Sequence, residues 1–233
     1  MSGVIDSAAA ILNASERRIA LVSENISNAQ TPGYKRAVGF SSLLGAAGQP
    51  AAIPSFATAT DLRQGKLVET RNPFDLAIGG RGFFQLRAGD DIIYSREGQF
   101  HRAADGTLVS PHGEVLQQVG GGDLVVDDAA ITIAPDGAVM YGDRANGAVA
   151  VFDAASADAM QSLGGGRFAA PADAMAEVDP PAIHQGMIEA SNVETSDEMV
   201  EMMAALQHAR SGARLVQVYD ELMGEALTSL GTR

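Results

Sequence analysis

The first residues of the chain set a helical rhythm. Val4, Ala8, Ile11, Leu12, Ser15, Ile19, Val22 and Ile26 recur every three or four positions, which places them on one face of a helix. The spacing predicts an amphipathic helix of about 25 residues. It should close at Asn28 or at the turn Thr31-Pro32-Gly33-Tyr34, because proline cannot continue the hydrogen-bond ladder and glycine accepts the turn.

From Ala37 to Arg71 periodicity fades into Gly, Ala, Pro, Ser and Thr, the composition of an extended connector with little regular structure. Between Asn72 and Ala170 the pattern changes to short apolar runs: Phe74–Ile78, Phe83–Leu86, Ile92–Tyr94, Thr107–Val109, Leu124–Val126, Ile131–Ile133 and Ala148–Phe152. Asp105-Gly106, Asp136-Gly137 and Asn146-Gly147 supply hairpin turns whose positive backbone angles glycine tolerates. This stretch predicts an all-β domain of antiparallel hairpins.

The rhythm returns to a helical one at Thr195. Thr195 with Glu198 matches a capping box, and Asp197 and Glu201 place negative charge near the positive end of the helix dipole. Met199, Met202, Leu206, Ala209, Ala213, Val216, Met223, Leu227 and Leu230 then form a heptad-like seam interrupted by Asp220. At about 1.5 Å per residue such a helix would be roughly 50 Å long.

The predicted fold is therefore α+β, with terminal amphipathic helices pairing in a coiled-coil-like domain around an antiparallel all-β domain. Its expected segments are an N-terminal helix in 1–36, an extended connector in 37–71, the β domain in 72–184 and a C-terminal helix in 185–233. Amphipathic helices without a local partner must pair with each other or bury their faces on other molecules. The residues expected to form an assembly interface are Ile11, Leu12, Ile19, Val22 and Ile26 from the first helix. From the last come Met199, Met202, Leu206, Val216, Met223 and Leu227.

Composition narrows the function. The formal net charge of −13 and the lack of a basic stripe argue against nucleic acid as a partner. Arg17, Arg18, Lys35 and Arg36 form the densest basic group and are expected to lie on a solvated helix face and turn. No apolar run is long enough to span a bilayer, and the first residues lack the layout of a cleaved signal peptide, so neither a membrane anchor nor a leader is expected. The chain has no cysteine, which removes disulfides, cysteine-ligated zinc and thiol nucleophiles.

Candidate chemistry is sparse. His101, His112, His184 and His208 show no metal-ligand interval, and Gly120–Gly122 and Gly164–Gly166 lack the Lys-Ser or Lys-Thr of a phosphate loop. Asp90-Asp91 and Asp127-Asp128 flank turns, where carboxylates are simply solvated. No metal, cofactor or catalytic residue is expected. The methionines Met187, Met199, Met202, Met203 and Met223 fit ordinary packing, or an interface able to adapt to several neighbours.

Three motifs, in order along the chain, carry a resemblance. Asn25-Ile26-Ser27-Asn28-Ala29-Gln30-Thr31-Pro32-Gly33-Tyr34-Lys35-Arg36, where the first helix ends, resembles the signature of flagellar rod and hook proteins. Asp75–Phe84, Tyr94–Phe100 and Asp105–Val109 look like the β-domain core of that family, and Glu189-Ala190-Ser191-Asn192-Val193 before a Met-rich helix resembles its closing segment. The chain lacks room for the large insertion of hook members, so it is most similar to rod members, and to the proximal type before the distal. The resemblance implies a non-enzymatic subunit of a hollow axial rod, its terminal helices in the inner tube and its β domain outward. It further implies export by the flagellar type III apparatus without signal cleavage, a periplasmic location, and other rod proteins and further copies as partners. A β-domain binding module and a carboxylate hydrolase are the competing classes.

Overall fold

The computed structural model describes residues 2–42, 55–126, 131–142, 144–156 and 159–231, with backbone alone at 2–7, 41–42, 55 and 225–231. The chain divides into two compact units. A helical unit holds residues 1–27, 37–59 and 194–233, and a β unit holds 28–36 and 60–193.

In the helical unit, α1 spans Ser2–Ser27 and α2 spans Thr195–Gly231. The first helix stops just before Asn28, whose carbonyl accepts from the Thr31 amide as the chain turns into Pro32. The two helices pack against each other, and their contacts run in opposite directions. Asn25 of α1 donates to Glu198 of α2 at 3.1 Å, and Arg18 pairs with Glu201 at 2.7 Å. Gly212 abuts Ile11 and Leu12. The pair is antiparallel.

Burial follows a regular step on both helices. On α2, positions 198, 202, 205, 209, 212, 216 and 219 are all buried or half-buried; on α1, so are 8, 12, 15, 19, 22 and 26. Steps of four and three keep each set on one face. Several of these positions are small: Ala8, Ser15, Ala205, Ala209 and Gly212. Small residues let the backbones approach, at the lower end of the usual interaxial range. A strand pair, Ala37–Ser42 with Ser55–Thr60, completes the unit, and the Phe56 ring lies over Gly39.

The β unit is antiparallel throughout its paired strands. Its largest sheet among the described residues runs Gln161–Gly164, Arg167–Ala169, Asp91–Ser95, Phe83–Ala88, Val115–Leu116, Leu108–Val109 and His101–Arg102. Val151–Ala154 joins the same sheet against Phe83 and Phe84, and also pairs with Met175–Glu177. A three-stranded sheet holds Thr132–Ile133, Ala138–Tyr141 and Arg144–Ala148. Two short pairs close the unit: Leu76–Ile78 with Ile183–Gln185, and Leu67–Glu69 with Met187–Glu189.

Alternating side chains of these strands build the main core, in which Leu76, Ile78, Phe84, Leu86, Leu108, Leu116, Leu124 and Val149 are fully shielded. A second cluster joins Phe83, Tyr94, Met160, Phe168 and Met175. Phe84 with Phe100 and Phe83 with Phe168 meet edge to face, at 5.7 and 5.6 Å between ring centres.

Three expectations of local structure need correction. The segment 37–71, read as an irregular connector, contains three strands, Ala37–Ser42, Ser55–Thr60 and Leu67–Glu69. The last of these finds its partner in Met187–Glu189, far along the chain, so no local pattern announces it. Asn146-Gly147 is not a hairpin turn: it lies inside the strand Arg144–Ala148, at a register shift opposite Val139, with Gly147 at φ +123°. The positive angle that glycine tolerates serves a β-bulge there. The chain reverses earlier, between the paired residues Tyr141 and Arg144. Finally, Leu124–Val126 forms no regular strand. One bridge pairs Val125 with Thr107, and backbone bonds tie Leu124 to Leu116 and Leu108 and Val126 to Gly106, with Leu124 and Val126 pointing into the core.

Candidate assembly interface

The expected interface residues divide by exposure. On α1, Val22 is buried, Leu12, Ile19 and Ile26 are half-buried, and Ile11 is more exposed. On α2, Met202 and Val216 are half-buried, whereas Met199, Leu206 and Met223 are exposed. The side chain of Leu227 lies outside the described residues, as do Leu230 and the Asp127-Asp128 pair. The sequence reading joined Met199, Leu206 and Ala213 into one seam with Met202 and Val216. In the helical unit Ala205 and Gly212 occupy the buried positions instead, and Met199, Leu206 and Ala213 stand beside them.

A second apolar stripe runs along α2. Val200, Met203, Leu215, Val218 and Leu222 are all exposed. At roughly 100° per residue, Val200 and Val218 point about opposite to Ala205 and Val216, with Leu222 roughly 40° to one side of them. A long helix buried on one face and apolar on the other is incomplete in a free chain, since apolar surface left in water costs about 25 cal/mol per Å² relative to burial. Between α1, α2 and the strand pair, Ile11, Ala14, Ser15, Arg18, Gly39, Phe56, Ala205 and His208 line a groove.

The motif residues do a different job. Asn25 is fully buried, and its amide donates to the Ala37 carbonyl at 2.8 Å while its Oδ1 accepts from the Ala37 amide at 2.9 Å. It completes the first strand's backbone from a helix. Within the β unit, Asn28 and Thr31 frame a turn through both their backbones and side chains. Pro32 is half-buried and leads into Gly33, whose φ is +71°. A Cβ at Gly33 would lie 2.2 Å from the Arg96 carbonyl carbon, so only glycine fits. Tyr34 is buried, and its carbonyl accepts from the Asn192 amide.

Lys35 corrects the reading of the basic group as a solvated face. Its side chain is 0% exposed and donates to Glu189 Oε1 at 2.5 Å and to the Arg63 carbonyl at 2.8 Å. Glu189 Oε2 accepts from Arg96 Nη1 at 3.0 Å, and Oε1 also accepts from the Gly65 amide. Arg96 Nη2 donates to the Gly80 carbonyl, and its guanidinium lies over the Phe83 ring. One carboxylate thus ties its own strand to three segments distant in sequence. Burial pulls the Lys35 ammonium and the Arg96 guanidinium below their ordinary values, with Glu189 opposing that shift in both.

Asn192 repeats the pattern in neutral form. Its Oδ1 accepts from the Arg36 amide at 2.7 Å, and its amide donates to the carbonyls of Asp61 and Arg63. The motifs around Asn28–Arg36 and Glu189–Val193 therefore bind each other. Glu189 and Arg96 were missed as key residues although both stood inside quoted motifs. Glu189 carries a signal, a charge set between Ile188 and Ala190, whereas Arg96, between Ser95 and Glu97, has none.

Beside this node Glu97 is 3% exposed and its Oε2 has no hydrogen-bond partner. His112 Nε2 lies 3.6 Å from it. Burial pushes the Glu97 carboxyl up, with Glu114 adding to the effect and His112 and Arg167 opposing it. Among the described residues no cluster of His, Cys, Asp and Glu is arranged to hold a metal, and no helix is long and apolar enough to cross a membrane.

Known proteins resemble the chain along most of its length. The family described as the flagellar hook protein FlgE/F/G D1 domain matches residues 77–141, and the flagellar basal body rod FlgEFG protein C-terminal family matches 184–229. A flagellar basal-body rod protein FlgF of Caulobacter vibrioides is 27% identical over 226 residues, covering 92% of each chain. The rod protein FlgG of Agrobacterium fabrum is 28% identical over 250 residues, 92% of this chain and 94% of its own. The hook protein FlgE of Brucella abortus is 38% identical over 118 residues, but these are 47% of this chain and 29% of the hook protein.

Proposed function

We propose, from the premise that this chain is a flagellar basal-body rod protein of the rod and hook family, that it is an F-type rod subunit acting by assembly and not by catalysis. The alignment with the FlgG protein runs over 250 positions, more than the 233 residues of this chain, and so requires added length in the G-type protein. The alignment with the FlgF protein covers the same 92% of this chain in 226 positions and requires less added length. That difference supports the F type.

The observation that carries the assembly reading is the apolar surface left on α2 after it has paired with α1. In this reading the axial helical domain expected in 1–36 and 185–233 is carried by α1 and α2, wound as a short coiled coil, while 28–36 and 185–193 fold with the β unit. Residues 37–71 connect it to an outer β domain in 72–184. Ile11, Leu12, Ile19, Val22, Ile26, Met202 and Val216 hold the pair together. Met199, Leu206 and Met223 face other subunits. The partners are other rod proteins and further copies of the chain, reached through the flagellar export apparatus, in a periplasmic rod that transmits torque.

Complementation of a strain lacking the gene tests this. Leu206→Asp puts a charge where a neighbouring subunit would bury it, a cost of several kcal/mol when unpaired (about 3–5 by analogy with broken buried pairs). The variant should be made and folded, since Leu206 is exposed in the free chain, yet be missing from purified basal bodies, and the cells should not swim. His101→Ala, on an exposed strand, should leave swimming intact. Normal motility with Leu206→Asp would overturn the reading.

A further inference from the structure

We propose that copies of this chain meet head to tail along α2, with the Val200–Met203 stretch of one copy lying parallel on the Leu215–Val218 stretch of the next and Asp197 beside the neighbour's Arg214. The inference rests on the rod-subunit reading and adds the polarity and register of one contact between copies.

The stripe itself identifies what can cover it. Its two apolar halves, Val200 with Met203 and Leu215 with Val218 and Leu222, are exposed and separated by the polar Gln207 and Ser211. Each half is too short to bury much alone; Asp197 flanks the first, and the flank of the second carries Arg210 and Arg214 at its start and Glu221 at its end. At 100° per residue Asp197 lies roughly 60° to one side of the stripe and Arg214 roughly 40° to the other. Opposite flanks are the positions that face each other across two parallel helices, as e and g do in a parallel coiled coil.

The competing arrangements fail on charge or on apolar contact. An antiparallel pairing that matches the same apolar residues, Val200 with Val218 and Met203 with Leu215, brings Arg214 level with position 204, seven residues or roughly 10 Å from Asp197, and leaves that charge pair unmatched. A parallel pairing in register stacks Gln207 and Ser211 on themselves and leaves Asp197 and Arg214 unmatched. Only the shifted parallel pairing satisfies both apolar halves and the flanking charges. A shift of about 15 residues corresponds to roughly 22 Å along the helix. Because the two surfaces in contact differ, the contact does not close on itself and each copy presents a free half to the next, the geometry of an open filament.

The absence of cysteine makes the register directly measurable. Chains carrying Met203→Cys and Val218→Cys singly and together are expressed in the gene-deleted strain, oxidised in isolated basal bodies and run without reductant. Both sites are exposed, and circular dichroism checks that the variants fold. The proposal expects the double variant to give a ladder of linked copies, a mixture of the two single variants to give heterodimers, and each single variant alone to stay unlinked. Asp197→Arg should abolish the ladder and Asp197→Arg with Arg214→Asp should restore it. Linkage of either single variant with itself, or no linkage while the protein is present in the basal bodies, overturns the register. Absence of the unsubstituted protein from the basal bodies would instead overturn the rod reading on which it rests.

Discussion

Glu189 is a single carboxylate holding two buried cations and the Gly65 amide in place, and its removal leaves those cations without a countercharge. Breaking such a buried pair usually costs about 3–5 kcal/mol, whereas replacing every member by apolar side chains often costs little. Glu189→Ala should therefore lower the urea midpoint of the β unit steeply. The triple replacement Lys35→Met, Arg96→Met, Glu189→Leu should lose distinctly less, and equal losses in the two proteins would refute the charge-node account. Glu97 gives a pH test. Its folded-state carboxyl is pushed above the usual value by burial, so the folded chain holds that proton more tightly than the unfolded one. This contribution is fully present below the ordinary carboxyl range of about 4.3 and is lost as pH rises through the folded-state value. Glu97→Gln should flatten that decline and should be at least as stable as the parent at neutral pH, as read from thermal midpoints across the acid range. None of this was legible at Lys35, because a lysine next to an arginine in a Pro-Gly turn has the local pattern of a solvated residue. Its burial depends on a carboxylate that arrives 154 positions later.

At the scale of elements, helix positions and lengths follow from local rules, but the faces of a helix do not. The pattern of α2 offers apolar residues around much of its circumference, and the larger ones, Met199 and Leu206, looked like the natural seam. Close approach to α1 selects Ala205, Ala209 and Gly212 instead, since bulky side chains would hold the backbones apart. A Cβ at Gly212 would already lie 3.2 Å from both Ile11 and Leu12. Gly212→Leu should therefore separate the helices and lower the melting temperature of the far-ultraviolet helical signal, despite leucine's better helix propensity of roughly 0.8 kcal/mol over glycine. An unchanged or higher midpoint would show that the seam does not pass through this residue. The strands show the same division. The hairpin at Asp136-Gly137 forms where its dipeptide stands, with the Ala134 amide bonded to the Ala138 carbonyl. Asn146-Gly147, an equally strong local signal, is absorbed into a bulge because its strand already pairs with Ala138–Tyr141.

For the whole molecule, a net charge of −13 opposes the approach of copies over distances longer than any single contact. Salt shortens the reach of that repulsion to about 8 Å at physiological strength. Self-association of the purified chain should rise from low to moderate salt, and a flat or falling dependence in light scattering would show that like charge does not restrain it. The contact between Asp197 and Arg214 acts only at touching range, so charge exchange at those two positions should move the extent of association without reversing its dependence on salt.

The sequence by itself determined the α+β order of elements, the extent of both long helices, the hairpin at Asp136-Gly137 and the resemblance to rod and hook proteins, because each is written in local periodicity, turn chemistry or a contiguous motif. Tertiary structure alone decided which face of α2 is spent on α1 and which is left for others, since that choice turns on how closely two distant helices can approach. It also decided that Lys35, Arg96 and Glu189 share one buried site. Charges separated by 154 and 93 positions become neighbours only when strand pairing closes the β unit, and no local pattern records a partner that lies outside its own window.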